Sequence, residues 1–212
     1  VTPAARIALW ADQIRDMTAL GLRFSTSSHD RENYRRLQTM ALEMMALAGG
    51  DDLAALEPLR ETIFVRPTPM SVGDAAIIDE AGRILLIRRA DNGLWAMPGG
   101  AIAVGETPAE ATIREAWEEA GVRCEAVQLA AVHDSRLCGS LTRYHLYHFL
   151  FLCRPLEAEG TPGPAKHPQE VLEVRWFAEA ELAGLPVDPG HISRIPVAYN
   201  AWRGDPRTYF DA

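Results

Sequence analysis

Apolar residues recur at three- and four-residue spacing from Ala4 to Leu20, where Ile7, Trp10, Ile14 and Met17 share a stripe and Gly21 stands ready to stop a helix. A second helix is predicted from the Ser-Ser-His-Asp segment, capped by Ser28 or Asp30. It carries Tyr34, Leu37, Ala41, Met44 and Ala48 on one stripe and ends at Gly49-Gly50-Asp51-Asp52. Two such stripes suit an antiparallel helical hairpin. The Met-rich stripe serves either the hairpin's own core or a dimer interface, because methionine is common at adaptable surfaces. A short apolar segment, Leu53 to Leu59, then leads into Val65-Arg66-Pro67-Thr68-Pro69, whose two prolines favour an extended linker.

Past that linker the apolar period changes. Ser71 to Ala90 reads as strand, turn at Glu80 to Gly82, and strand, a hairpin rich in Ile and Val. Leu94 to Gly100 reads as a short strand running into a glycine turn. Ala126–Ser135, Arg143–Arg154 and Glu170–Phe177 predict three more strands, the last two separated by the Pro/Gly-rich stretch Pro155–Pro168. A final helix is expected over His191–Trp202, capped by Asp188 with Pro189 after it. The chain thus divides into a small α-helical N-terminal domain, residues 1–66, and a mixed α/β domain, residues 67–212.

Composition narrows the class. No apolar run approaches the roughly 18 residues that a bilayer span needs, and the N-terminal segment mixes charges of both signs, unlike a signal peptide. Cys124, Cys138 and Cys153 are odd in number without a Cys-x-x-Cys spacing, which fits reduced thiols and a cytoplasmic location. A net charge of −8 disfavours duplex nucleic acid as a partner.

Against this background one stretch stands out, Gly99 to Val122. Thr107-Pro108-Ala109-Glu110 combines a Thr-x-x-Glu capping box with proline in the first helical position. At 100° per residue Ala111, Glu115, Glu118, Glu119 and Val122 point towards one face, while Ile113, Ala116, Trp117 and Ala120 supply packable surface; Gly121 then ends the helix. Like charges at this spacing each destabilise a helix by roughly 0.2–0.5 kcal/mol. A solvated face is the usual meaning of such a cluster, but solvated faces mix signs, and only Arg114 is at hand locally. A hard divalent cation is the more economical counter-charge, and carboxylates suit Mg2+ or Mn2+.

The same stretch resembles the signature of the Nudix hydrolases: Gly, five residues, Glu, seven residues, Arg-Glu, an apolar residue, any, Glu-Glu, any, Gly, an apolar residue. Gly100, Glu106, Arg114, Glu115, Glu118, Glu119, Gly121 and Val122 fall in register. Seven fixed letters would match by chance on the order of 10⁻⁸ per starting position. Ala116 departs from the pattern, the family favouring a larger aliphatic residue there.

The resemblance implies an α/β/α sandwich with a mixed sheet and a metal site. Glu115, Glu118 and Glu119 with the Gly99 carbonyl would bind Mg2+, or Mn2+ in its place, and Arg114 would orient the glutamates. Glu106 would brace the loop–helix joint. The implied chemistry is attack of metal-activated water on a diphosphate. Glu118, Glu119 or Glu170 is the candidate base; the plain alternative for Glu170 is a solvated loop residue. The helical extension further resembles bacterial Nudix enzymes that include CDP-choline and ADP-ribose pyrophosphatases, typically dimers. The expected partners are therefore a small-molecule nucleotide and a second copy of the chain, with no membrane.

Substrate contacts are less legible. Arg88 and Arg89 alternate in direction, so at most one easily meets phosphate. Trp95 and Tyr147 could stack on a base, though Trp95 fits the core equally well. His145 shares a face with Tyr147, His148 the opposite face with Leu146, and a structural role is the commoner one for either histidine. Two other readings use the same residues: a house-cleaning hydrolase of nucleoside triphosphates or RNA 5′ ends, and a ligand-sensing Nudix-like regulator. The second usually carries degraded glutamates, and these are intact.

Overall fold

The computed structural model describes residues 2–62, 64, 70–135, 137–140, 146–156 and 169–212. The boundary expected near Pro67, most of the Pro155–Pro168 loop and His145 lie outside them. The chain divides into two compact units, Val1–Thr68 with Ala103–Gly105, and Pro69–Ile102 with Glu106–Ala212.

The first unit holds α1 (Pro3–Phe24), α2 (Ser28–Gly49), α3 (Leu53–Leu56) and α4 (Leu59–Thr62). Ser27, one residue earlier than expected, caps α2 by accepting the Asp30 N–H, and Gly50 closes it at φ 73°. α1 does not stop at Gly21. A Cβ there would lie 2.3 Å from the Tyr34 ring, so this glycine permits close helix approach rather than termination.

The period of the apolar stripes is as expected, and Ala41 of the α2 stripe is buried, but on α1 the phase differs. Ala11, Thr18 and Ala19 of α1 are buried, as are Gln38, Ala41, Leu42 and Ala46 of α2, whereas Trp10, Met17, Met40 and Leu47 are exposed by 47%, 60%, 53% and 79%. Interaxial distance depends on the side chains at the contact, so a close seam takes the small residues and turns the large apolar ones outward.

The second unit contains β1 (Met70–Ile77), β2 (Arg83–Arg89), β3 (Trp95–Ala96), β4 (Gly99–Ala101), α5 (Pro108–Ala120), β5 (Cys124–Asp134), β6 (Leu146–Pro155) and β7 (Val171–Ala178). A 3-10 helix (Glu179–Gly184), α6 (Pro189–Ile192), α7 (Arg194–Trp202) and β8 (Tyr209–Phe210) complete it. The strands form a mixed sheet, β4-β1-β6-β5-β8, and a smaller one, β3-β2-β7. Of the hairpin expected from β1 and β2, the turn at Glu80–Gly82 and one antiparallel bridge, Ile78 to Ile84, are formed, but not a ladder between the two strands. β1 pairs with β6 in parallel on one side and with β4 on the other, so it has no open edge for β2, which pairs with β7 and β3 instead.

Alternation along the strands sorts the core into two faces. Ala75 and Ile77 of β1 and Leu85 and Ile87 of β2 pack with Ala116 and Ala120 of α5. Ala76, Ile78, Ile84 and Leu86 pack with Ile195, Ala198 and Tyr199 of α7. Both sheets therefore share one middle layer between the two helices, an α/β/α sandwich. The expected last helix is broken at Ser193 into α6 and α7, with Asp188 capping as predicted. The three cysteines are free and buried. Among the described residues no helix is long and apolar enough to cross a membrane.

Candidate active site

The site is built where β4 hands over to α5. Thr107 accepts the Glu110 N–H while the Glu110 carboxylate accepts the Thr107 N–H, and Gly121 at φ 65° ends the helix. Ala111 is buried with Ala116 and Ala120, not turned to the glutamate face, while Glu115, Glu118 and Glu119 are half-buried together.

Sheet register decides what β4 offers. Asp74 lies opposite Gly99, the Ala75 N–H bonds Pro98 O, and the Ile102 N–H bonds Ser71 O. In an antiparallel ladder this makes Gly99 and Ala101 non-hydrogen-bonded positions, so their backbone groups point away from β1 along the sheet's open edge. The Gly99 N–H donates to Glu119 Oε2 at 2.8 Å, and Ala101 O accepts from Arg114 Nη2 at 3.1 Å. A Cβ at Gly99 would lie 2.5 Å from Gly73 O and 3.0 Å from the Asp74 Cα, both backbone atoms. Gly99→Ala is accordingly expected to destabilise the fold by about 1–3 kcal/mol, the usual range for forced overpacking. Urea denaturation measures this, and parental stability would show that the strand yields instead.

Arg114 is the hub. It donates to both oxygens of Glu106 at 2.7 and 3.0 Å, to Glu115 Oε1 at 2.7 Å and to Glu118 Oε2 at 3.0 Å. Those bonds raise the arginine above its ordinary range, the Glu106 contact foremost. Burial pushes Glu115 up, against the pull of Arg114. Glu119 is pushed up to about 8, chiefly by burial, with the Gly99 N–H and Arg89 pulling down and Glu115 and Glu170 pushing further up.

Among the described residues no three His, Cys, Asp or Glu side chains stand as a metal would require, because Arg114 draws Glu115 and Glu118 one way while Glu119 bonds Gly99. The donor chemistry nevertheless fits a hard cation: clustered carboxylates, one of them buried against its own charge, beside the Gly99 carbonyl.

The other sequence candidates separate. A register shift between Arg88 and Arg89 re-aims the strand end. Arg88 is exposed and donates to Gly93 O, whereas Arg89 pairs with Asp91 through two bonds and its charge reaches Glu119. Glu170 is exposed, its carbonyl accepting the Ala90 N–H, and its charge also reaches Glu119. Tyr147 is 39% exposed on β6. Trp95 does not fit stacking on a base: it is 6% exposed and edge-on to Phe177 at 4.8 Å, both within the core. His148 is buried on the opposite face, its Nδ1 2.9 Å from Asp74 Oδ2 and 2.8 Å from Arg194 Nη1.

Behind the Gly99 strand lies a buried polar cluster that sequence reading missed. Arg194 bonds Asp74, the Met97 N–H donates to His191 Nδ1 at 3.3 Å, and Asn92 donates to Asp188 at 3.1 Å. Burial works to raise Asp74, but the Arg194 charge and His148 outweigh it and hold the carboxyl well below its usual range. Burial also keeps His191 neutral, well below the ordinary imidazole value, in keeping with Nδ1 as an acceptor. The available signal was Asp74 itself, a charge inside an apolar strand.

Residues 68–197 match the NUDIX domain model, well over half of the chain, and residues 5–59 match a domain described as UDP-X-like, N-terminal oligomerisation. The chain is a Nudix hydrolase. Over 203 residues it is 31% identical to a Bacillus subtilis (strain 168) protein provisionally named ADP-ribose pyrophosphatase YjhB, covering 95% of each. It is 33% identical over 122 residues to the CTP pyrophosphohydrolase of Escherichia coli (strain K12), 56% of this chain and 83% of that one. The crystal structure of a UDP-X diphosphatase superposes with a TM-score of 0.59 at 26% identity, covering 99% of this Nudix chain and all 100% of the other. An ADP-ribose pyrophosphatase from Streptococcus suis gives 0.57 at 28% identity over 68% of this chain and 100% of its own.

Proposed function

We propose that this Nudix hydrolase cleaves a nucleoside diphosphate linked to a small group X, of the CDP-choline or ADP-ribose type, into a nucleoside monophosphate and a phosphorylated X in an Mg2+-dependent reaction. The observation that carries the reading is the likeness over both domains at once: the UDP-X diphosphatase covers 99% of this chain, helices included. Glu115, Glu118, Glu119 and the Gly99 carbonyl would hold the metal, with Mn2+ a substitute. Bound there, it would neutralise diphosphate oxygens and lower the pKa of a coordinated water. Arg114 would position Glu115 and Glu118, Arg89, whose charge reaches Glu119, is the better candidate of the two arginines for phosphate, and Tyr147 would offer an aromatic face to the base. Glu118, Glu119 or Glu170 would take the proton from water. Between the two substrate types we favour the choline nucleotide slightly, on the helical extension.

The E. coli CTP pyrophosphohydrolase likeness favours a second reading, hydrolysis of nucleoside triphosphates. Steady-state kinetics on CDP-choline, ADP-ribose, the common triphosphates and a 5′-triphosphorylated oligonucleotide separate the two. We expect the diphosphate derivatives to lead in kcat/KM. A hundredfold preference for a triphosphate or the oligonucleotide, about 2.7 kcal/mol in transition-state binding, would reverse the assignment.

We assign residues 1–66 to homodimerisation, supported by the oligomerisation-domain match and by the outward Trp10, Met17, Met40 and Leu47. Light scattering is expected to give a dimer for the full chain and a monomer for a chain starting at Val65. A monomeric full chain would refute it.

A further inference from the structure

We propose that the helical unit carries a second binding site, for a small phosphorylated molecule, in the cavity between the C-terminal end of α1, the first half of α2, and α4. The cavity measures about 620 Å³ and is lined by Arg23, Arg31, Arg35 and Arg60, with Glu61 the one acidic lining residue among those described. Between residues 1 and 68 the sequence has eight arginines and nine acidic residues, so half of the arginines and one of the acids meet here, in a chain of net charge −8.

The compensation of these charges is incomplete. Arg60 is paired, donating to Glu57 at 2.7 Å and reaching Thr39 at 3.3 Å. Arg31 donates to the carbonyls of Leu22 and Ser25, which fixes its guanidinium at the end of α1, where the helix dipole offsets part of its charge but not all of it. Arg35 comes no nearer than 3.8 Å to Glu32, with both side chains exposed. Arg23 lies 5.8 Å from the Phe24 ring and has no carboxylate partner among the described residues. Arg31 also stands in the first turn of α2, where the helix dipole is itself positive and Asp30 is the acidic residue. An anion would add to that compensation.

Guanidinium forks match phosphate oxygens in pairs. The remaining wall includes the half-buried Leu22, while Phe64, 1% exposed, backs the cavity from within and is held by the Gln38 side chain donating to its carbonyl at 3.2 Å. A ligand that uses the whole cavity is thus part anion and part apolar, a phosphate ester of a small organic group. The volume falls in the range of roughly 300–1,000 Å³ typical of small-molecule sites.

The test is equilibrium dialysis of the full chain against labelled inorganic pyrophosphate with excess chelator, which removes any metal-dependent contribution of the active site. We expect one equivalent bound, with affinity falling as salt rises. Arg23→Glu/Arg35→Glu should weaken binding at least tenfold, and Arg23→Gln/Arg35→Gln is the gentler pair should circular dichroism show the first to be unfolded. Glu61→Gln should tighten binding, a change that loss of structure cannot produce, and Glu119→Gln should leave it unaltered. No binding by the parent chain overturns the proposal. So does parental binding by a folded double variant, or tighter binding on Glu119→Gln, which removes a charge that repels an anion and would place the anion at the glutamates.

Discussion

Glu119→Gln is expected to lower kcat about a thousandfold, roughly 4 kcal/mol of transition-state stabilisation, while making the metal-free protein more stable at pH 8. Both halves follow from one carboxylate. As a proposed ligand, Glu119 supplies charge that an amide lacks. Without metal that same charge is a burden, because burial pushes its pKa from the ordinary 4.5 to about 8. An acid whose folded pKa is raised binds more protons folded than unfolded, so its contribution to stability falls as pH rises from about 4.5 to about 8. Glutamine keeps an oxygen for the Gly99 N–H and has no proton to lose. Calorimetry with chelator across that pH window reads the stability, and turnover with Mg2+ reads the rest. A variant with parental kcat would remove Glu119 from the reaction. The same linkage predicts that metal binding releases a proton below pH 8 in the parent, and less in the variant.

The largest effect on stability is expected from Asp74→Ala, which leaves the Arg194 guanidinium, 1% exposed, without its carboxylate. Breaking a buried pair from one side typically costs about 3–5 kcal/mol. For a chain of this length that lowers Tm by roughly 6–20 °C. Asp74→Leu/Arg194→Met, which removes both charges, should recover much of the loss. The pH dependence has the opposite sign to that of Glu119. Asp74 is held below the usual carboxylate range, so its contribution is fully present above the unfolded value near 4 and is lost as pH falls through the folded one. Parental acid stability in Asp74→Ala would mean that the cluster contributes nothing to the fold.

The glutamate helix was legible in the sequence because everything that makes it is local. The cap, the carboxylates and the terminating glycine lie within one continuous stretch, at spacings that helix geometry fixes. Asp74 and Arg194 were not, since 120 positions separate them and no local period marks a partner. The pairing of β1 with β6 rather than β2 was hidden for a related reason: alternation shows that a segment is a strand but not which neighbour it takes. In α1 the period gave the helix correctly but not which of two faces is innermost. That depends on how closely the axes approach, and small residues such as Ala11 and Ala19 decided it. Trp95 was ambiguous because an aromatic ring before a glycine turn suits a core or a pocket equally well.

One consequence concerns self-association of the wrong kind. A sheet that ends in an unpaired strand offers its backbone as a template for another chain, and proteins commonly blunt such edges. β4 is that terminal strand, and one outward donor and one outward acceptor on it are taken: Glu119 occupies the Gly99 N–H, and Arg114 occupies the Ala101 carbonyl. The residues read here as catalytic machinery therefore also act as an edge guard. Removing Arg114 uncovers the Ala101 carbonyl on that edge, so loss of activity in such a variant would be accompanied by a tendency to add strands and precipitate.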